Sequence, residues 1–121
     1  MTRIDQGTLK GYAITLGKYG GDIFRPGAFA KTLKERLPMR RIGLWFGDER
    51  IGTVVEARED AGGLCFEAEL FSNSQAQRVR TMSKRVLNSV SIRYRVIRGQ
   101  KLDAQRELLE VQLLSIVIGT H

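Results

Sequence analysis

One stretch decides the fold class: Leu64-Cys65-Phe66-Glu67-Ala68-Glu69-Leu70-Phe71. Its even-numbered residues are all apolar, whereas Cys65, Glu67 and Glu69 lie between them. Because successive side chains of a strand point to opposite faces of the sheet, this alternation predicts a half-buried β-strand. The same period of two recurs over residues 90–97, where apolar residues oppose Ser91, Arg93 and Arg95. Further strands are predicted over residues 9–16, 42–46, 51–57 and 107–118.

Two segments follow the helical period instead. In residues 28–37, Phe29, Leu33 and Leu37 recur every four positions, and Pro38 ends the helix. A second helix is predicted over residues 75–87, after the N-cap residues Ser72-Asn73-Ser74. Loops and turns are predicted at residues 17–22, 47–49, 60–63 and 98–100. We therefore expect a mostly β fold with two helices (α+β), built as a mainly antiparallel sheet or small barrel in one domain, residues 1–121.

The composition excludes several classes of protein. No apolar run is long enough to cross a membrane, and the N-terminus has no run typical of a secretory signal. The single cysteine, Cys65, excludes an internal disulfide, and no histidine or cysteine cluster supports a metal site. Residues 17–21 lack the ending of a phosphate-binding loop. We expect an intracellular protein with no membrane insertion, no metal and no cofactor.

The net charge of +7 is concentrated between Arg78 and Arg106, where nine basic residues are opposed by Asp103 alone. Such a field favours polyanionic partners. Candidate contacts on the second predicted helix are Arg78, Arg80, Lys84 and Arg85. Three interpretations stay open: a solubilising surface, a surface for an acidic protein segment, and nucleic-acid recognition. The sequence carries no motif for specific recognition, so a nucleic-acid partner would be bound non-specifically.

Ser91 is the candidate nucleophile, on a strand that also carries Arg93 and Arg95 on the same face. These two arginines are candidate contacts for an oxyanion or a substrate. Glu110 lies in an apolar run on the following strand, where a carboxylate needs a partner. An arginine across the hairpin would serve structurally, and a histidine would make Glu110 the orienting acid of a triad. The pattern favours the arginine, because the only histidine is His121.

At this point the sequence resembles a known family, in five ordered segments. The first runs from Gly11-Tyr12-Ala13 to Asp22 and Phe24-Arg25-Pro26-Gly27-Ala28-Phe29. The others are Leu44-Trp45; Ile51-Gly52-Thr53-Val54 with Gly63-Leu64; Leu87-Asn88-Ser89-Val90-Ser91-Ile92; and Leu109-Glu110-Val111-Gln112-Leu113-Leu114. Together they are similar to the tailed-phage prohead maturation proteases. The resemblance implies a small β-barrel with helices, related to herpesvirus assemblins.

The resemblance also implies a serine endopeptidase that cleaves scaffold and capsid-protein segments. Ser91 matches the position of the family's nucleophile and Glu110 matches a family glutamate of the site. The base does not match: where the family reads Leu-Trp, any residue, His-Asp, this chain reads Leu44-Trp45-Phe46-Gly47-Asp48. Gly47 is therefore the position of the missing base, and we expect a catalytically inactive protein with a structural role in capsid assembly.

Two alternatives remain open at this stage. One is an active endopeptidase that uses Asp48 or Glu49, or a histidine from a second chain, in place of the base. The other is a basic nucleic-acid-binding module. By resemblance, the expected partners are a phage capsid or scaffold protein and further copies of the chain, in the prohead or virion interior, assembled in the host cytoplasm. The family's last strand runs on past the end of this chain at His121, which is compatible with a native, processed or truncated end.

Overall fold

The computed structural model of the chain describes residues 3–5, 8–14, 17–19, 22–60, 63–72, 74–81, 89–102 and 105–119. Two helices and nine strands form the described part, and the strands belong to one sheet. The strands are β1 (Arg3–Asp5), β2 (Thr8–Ile14), β3 (Gly17–Tyr19), β4 (Asp22–Phe24), β5 (Gly43–Phe46), β6 (Glu49–Asp60), β7 (Gly63–Leu70), β8 (Ser89–Leu102) and β9 (Gln105–Gly119). The helices are α1 (Ala30–Arg36) and α2 (Ser74–Thr81).

The sheet is mainly antiparallel and curls into a half-barrel, in the order β1-β2-β7-β6-β5-β9-β4-β3, with β8 paired to β9. The fold class predicted from the sequence is therefore confirmed. Alternation builds the strands as expected: in β7, Leu64, Phe66 and Ala68 are buried, whereas Glu69 is exposed. The described helices are both short, and neither could cross a bilayer.

The organising element of the sheet is β9. It pairs with β8 along nearly its whole length on one edge, and in parallel with β4 at its start and β5 at its end on the other. Between those two parallel pairings, α1 and the turn before it cover the edge. The Val111 amide donates to the Ala28 carbonyl (3.0 Å), and the Leu113 amide donates to Thr32 Oγ1 (2.9 Å). These two main-chain donors of β9 are thus satisfied by α1 and by the turn before it, in place of a neighbouring strand.

The start of α1 is itself fixed by a carboxylate from the sheet. Glu59 of β6 accepts hydrogen bonds from the Gly27 amide (2.6 Å) and the Phe29 amide (2.8 Å). The Phe29 amide is one of the orphan donors at the helix start, and the Gly27 amide belongs to the turn before it. A charged acceptor binds such amides more strongly than a neutral one does. No side-chain cap from the preceding residue is present, so β6 supplies what the local sequence lacks.

The hydrophobic core fills the concave side of the sheet beneath the helices. Phe29 is fully buried and Leu33 and Leu37 pack against the core, as the period of residues 28–37 predicts. The ring of Phe24 stacks on Phe29 with 5.3 Å between centroids. Other fully buried side chains are Leu9, Ile42, Leu44, Ile51, Val54, Leu64, Leu108, Leu113 and Ile116. Each contributes about 1.5–3 kcal/mol relative to exposure.

Two local predictions are wrong. Residues 17–22, predicted as a loop from their glycines, contain β3 and the start of β4, which pair as an antiparallel hairpin. The turn predicted at residues 98–100 is strand, since β8 continues to Leu102. Both errors have one cause: pairing with a neighbouring strand, β4 for β3 and β9 for β4 and β8, stabilises extended backbone where glycine makes local propensity weak. The predicted residues 82–87 of the second helix lie outside the described residues.

Candidate active site

Ser91 lies on β8, half-buried, opposite Val117 of β9. Val117 in turn lies beside Trp45 of β5, in the parallel pairing. Ser91, Val117 and Trp45 therefore form one row across three adjacent strands. The opposite face of β8 carries Ile92, which is buried in the core. The strand pattern read from the sequence thus gives the correct face for Ser91.

Gly47 begins the two-residue turn that joins β5 to β6. Phe46 and Glu49 form the closing pair of this hairpin, so Gly47 and Asp48 are the whole turn. Gly47 has φ +62°, in the left-handed region, and Asp48 does not. A positive φ at the first central residue alone is typical of a type II′ turn, which favours glycine there. A histidine at this position would be strained by about 1–2 kcal/mol.

The sheet brings Ser91 and Gly47 to the same end of three neighbouring strands. Trp45 is two strands away from Ser91, and Gly47 lies two residues beyond Trp45. At about 4.8 Å between strands and 3.3 Å per residue, the two Cα atoms are roughly 12 Å apart. Asp48 of this turn and Glu49, the first residue of β6, are both exposed.

The sheet does not bring Glu110 to Ser91. Glu110 is opposite Arg98 in the hairpin, whereas Ser91 is opposite Val117, seven positions further along. At 3.3 Å per residue the separation is about 23 Å. The role of orienting acid for Glu110 therefore stays a prediction drawn from the resemblance, and the register gives it no support.

The cation beside Glu110 is a lysine of α1, whereas the sequence pattern favoured an arginine across the hairpin. Lys31 of α1 lies 3.9 Å from Glu110 Oε2, and Arg98 makes no ion pair with it. The expectation is wrong because it considered only the hairpin. The crossing of α1 over β9, which brings Lys31 close, is a tertiary feature that strand patterning does not contain.

An aromatic side chain occupies the face beside Ser91. The Trp45 indole lies on the backbone of Gly43, where a Cβ atom would come within 2.9 Å of the indole nitrogen. The Arg93 guanidinium lies over the indole, 5.2 Å from the ring centroid. Arg95 is exposed further along the same strand. A cation–π contact of this kind contributes about 0.5–1 kcal/mol at an exposed site, so Arg93 is held in position next to Ser91.

Comparison with known proteins identifies the family and the fold. The profile of the caudovirus prohead serine protease family matches residues 2–120. The chain belongs to that family. Among solved structures, the bacteriophage T4 capsid assembly protease gp21 is similar in fold, with a TM-score of 0.67 over 94% of this chain and 81% of that chain, at 8% sequence identity. A search of curated protein sequences finds no match.

Membership in the prohead serine protease family does not by itself assign the basic residues. Arg78 lies exposed on α2, where its Nη1 donates to Gln75 Oε1 (2.9 Å). Arg80 belongs to the same helix. Lys84 and Arg85 lie outside the described residues. The polyanion-binding role of this set stays a prediction.

One polar cluster of this prohead protease fold was missed at the sequence level. Asp22, largely buried, accepts two hydrogen bonds from the Arg106 guanidinium (2.9 and 3.0 Å) and one from the Tyr94 hydroxyl. The Arg106 hydrogen bonds lower the pKa of the Asp22 carboxyl below its ordinary value; burial opposes this shift and the Tyr94 hydroxyl adds to it. The cluster joins β4, β8 and β9. The parallel pairing of Asp22 with Arg106 was the missing information.

The described residues contain no group of three or more histidine, cysteine, aspartate or glutamate side chains arranged to hold a metal ion. Among the described residues, the groups placed next to the Ser91 hydroxyl are the Arg93 guanidinium and the Trp45 indole.

Proposed function

We propose that this protein acts in phage capsid assembly as a catalytically inactive, structural member of the prohead serine protease family. Its role would be that of a scaffold, an assembly factor or a retained shell component. The observation that carries the proposal is the glycine at Gly47, the position that the resemblance gives to the family's base: it has φ +62° and lies in a two-residue turn.

A serine hydroxyl is a weak nucleophile without an adjacent base. Removal of one triad member lowers kcat by up to about 10⁶-fold in a well-studied serine protease. The one histidine in the sequence is His121, at its end. A turn that contains only Gly47 and Asp48 has no further residue to supply an imidazole to Ser91. The surroundings of Ser91 thus support binding rather than hydrolysis.

The partners follow from the family and the charge. A capsid or scaffold protein would contact the basic surface of the chain, whose net charge is +7. The chain would associate with further copies of itself, and would act within the prohead after assembly in the host cytoplasm. Contact with nucleic acid would be non-specific and would weaken steeply with salt.

The proposal is tested with a serine-directed covalent probe and with capsid or scaffold protein as substrate. We expect no labelling of Ser91 and no cleavage, at any pH, by the wild-type chain. Ser91→Ala should behave like the wild type, and Ser72→Ala, at an exposed serine, serves as the matched control. Co-expression with the capsid protein should give assembled particles containing the chain whether or not Ser91 is present.

The second candidate is an active endopeptidase with a substitute base. It is favoured by two exposed acids next to Gly47: Asp48 in the turn and Glu49 at the start of β6. Cleavage by the wild type that disappears in Ser91→Ala but persists in Ser72→Ala would establish this alternative and refute the inactive role. Loss of that cleavage in Asp48→Asn or Glu49→Gln would then identify the base.

A further inference from the structure

The end of β8 carries cations that no carboxylate neutralises. Arg95, Arg98 and Lys101 are exposed, and in the described part of the chain none of them lies within 4.0 Å of an acidic side chain. The acids on the neighbouring strand β9 are paired elsewhere. Glu107 lies 3.9 Å from Arg25, and Glu110 lies 3.9 Å from Lys31. The positive charge of this strand is therefore available to a partner.

The main chain at the same place also lacks a partner. From Arg95 to Lys101, β8 pairs with β9 only, and no other strand of the described chain lies hydrogen-bonded along its second edge. An exposed strand edge of this length is a template for pairing with another extended chain. Ile97, an apolar side chain that is 52% exposed, lies between the cations. The edge thus combines unpaired amides, positive charge and an apolar contact.

We propose that this edge of β8 docks an extended, acidic segment of a partner protein by strand addition. Main-chain hydrogen bonds would provide the pairing, and carboxylates of the added strand would contact Arg95, Arg98 and Lys101. Directly opposed side chains of neighbouring strands are about 5 Å apart, so acids of the added strand would lie within reach of the cations beside them. Register shifts on either side of Arg98 twist β8 here and restrict the pairing to a short segment.

Two other occupants fit less well. A second copy of the chain would bring two rows of like charges together, which opposes edge-to-edge pairing. A DNA duplex cannot pair with strand amides. It would also cover both strands of the ribbon, including Glu107 and Glu110 of β9. The cations follow one strand rather than the width of the ribbon, so the geometry favours a ligand one chain wide.

This inference gives the partner contact proposed above a location, and it rests on the proposed function only for the identity of the partner. The edge begins four residues beyond Ser91 on β8. Binding of a peptide to the edge can therefore be measured independently of any catalysis at Ser91. Detection of Ser91-dependent cleavage would refute the inactive role but would not affect the proposed docking site. Absence of docking would leave the inactive role in place.

The test uses the full chain and fluorescence anisotropy with a synthetic peptide in which glutamate alternates with valine. The counterpart probes are the same peptide with glutamine, the same peptide with N-methylated main-chain amides, and a short DNA duplex. The test variant is Arg98→Gln with Lys101→Gln. Its matched control is Lys34→Gln with Arg41→Gln, which removes two exposed charges elsewhere. Far-ultraviolet circular dichroism verifies that both variants are folded.

We expect the wild type and the Lys34/Arg41 control to bind the glutamate peptide equally, and the Arg98/Lys101 variant to bind it about tenfold more weakly. The glutamine and N-methylated peptides should also bind weakly. Equal binding by both double variants would overturn the proposal. Preferential binding of the DNA duplex would also overturn it. So would increased self-association of the Arg98/Lys101 variant with no change in peptide binding, because the cations would then serve only to prevent pairing between two copies of the chain.

Discussion

At the scale of single residues, Gly47 has the largest consequence, because its backbone angle disfavours a side chain at the position that the resemblance gives to the base. Nothing lies within 4 Å of a Cβ atom built at this position, so space is not the obstacle. The obstacle is φ +62°, which L residues other than glycine and asparagine adopt with difficulty. The two-residue turn thus favours a glycine at this position for its backbone geometry alone.

Gly47→Ala should therefore destabilise the protein by about 1 kcal/mol, through backbone strain alone. Gly47→Asn should be less destabilising, since asparagine tolerates the left-handed region. Urea unfolding followed by circular dichroism measures both. An alanine variant as stable as the wild type would mean that the turn accepts ordinary residues, and the strain argument against a histidine would fail.

Asp22 gives the second prediction at this scale. Folding lowers its pKa, so its stabilising contribution is complete above the unfolded pKa of about 3.9 and disappears as the pH falls through the lower folded value. Asp22→Asn leaves the Arg106 guanidinium without its carboxylate and should cost about 2 kcal/mol at pH 7. Thermal unfolding between pH 7 and pH 2 should show the difference from wild type shrinking below about pH 4.

Asp48→Asn, at an exposed turn aspartate, is the control for this series and should follow the wild type at every pH. A difference between wild type and Asp22→Asn that stays constant down to acid pH would show that the cluster does not depend on the charge of Asp22.

At the scale of elements, the relation between α1 and β9 was the part that sequence reasoning could not reach. Periodicity identified α1 and β9 themselves. It also identified the buried face of α1 and the face of β8 that carries Ser91, because such faces depend only on the spacing of side chains within one segment. The placement of Lys31 beside Glu110, and of Glu110 about 23 Å from Ser91, depends on which strands pair and where the helix crosses them. Those facts are tertiary, and a single sequence carries no direct signal for them.

Substitutions of Thr32 test whether α1 satisfies a main-chain donor at the edge of β9. Thr32→Val keeps the shape of the side chain but leaves the buried Leu113 amide without its acceptor, which should cost about 1–3 kcal/mol. Thr32→Ser keeps the hydroxyl and is the matched control. In hydrogen exchange, the Leu113 amide should remain protected in Thr32→Ser and exchange faster in Thr32→Val. Equal protection in the two variants would contradict the sealing role.

At the scale of the whole molecule, β9 makes the sheet a single cooperative unit, because strands from the beginning, middle and end of the chain all meet on it. Ile116 is fully buried at the centre, between Ile92 of β8 and Leu44 of β5. Loss of its side chain would affect both pairings together.

Ile116→Ala should therefore destabilise the protein by about 3–4 kcal/mol, with both halves of the sheet unfolding in one transition. The single tryptophan, Trp45, reports on β5, and far-ultraviolet circular dichroism reports on the sheet as a whole. The two signals should coincide in urea. Ile97→Ala, at an exposed position, should change stability by less than about 0.5 kcal/mol. Separate midpoints for the two signals would indicate two independently folding parts.

The position of β9 in chain order has a consequence for biosynthesis. Among the described strands it comes last in the chain, yet β4 and β5 pair in parallel with it across long intervening segments. During translation, those earlier strands have exposed edges until β9 has left the ribosome. Non-local pairings of this kind make folding slow and expose unpaired strands in the meantime. The nascent chain is therefore vulnerable to aggregation while β4 and β5 lack their partner. Slower translation would lengthen that interval, because it delays the synthesis of β9.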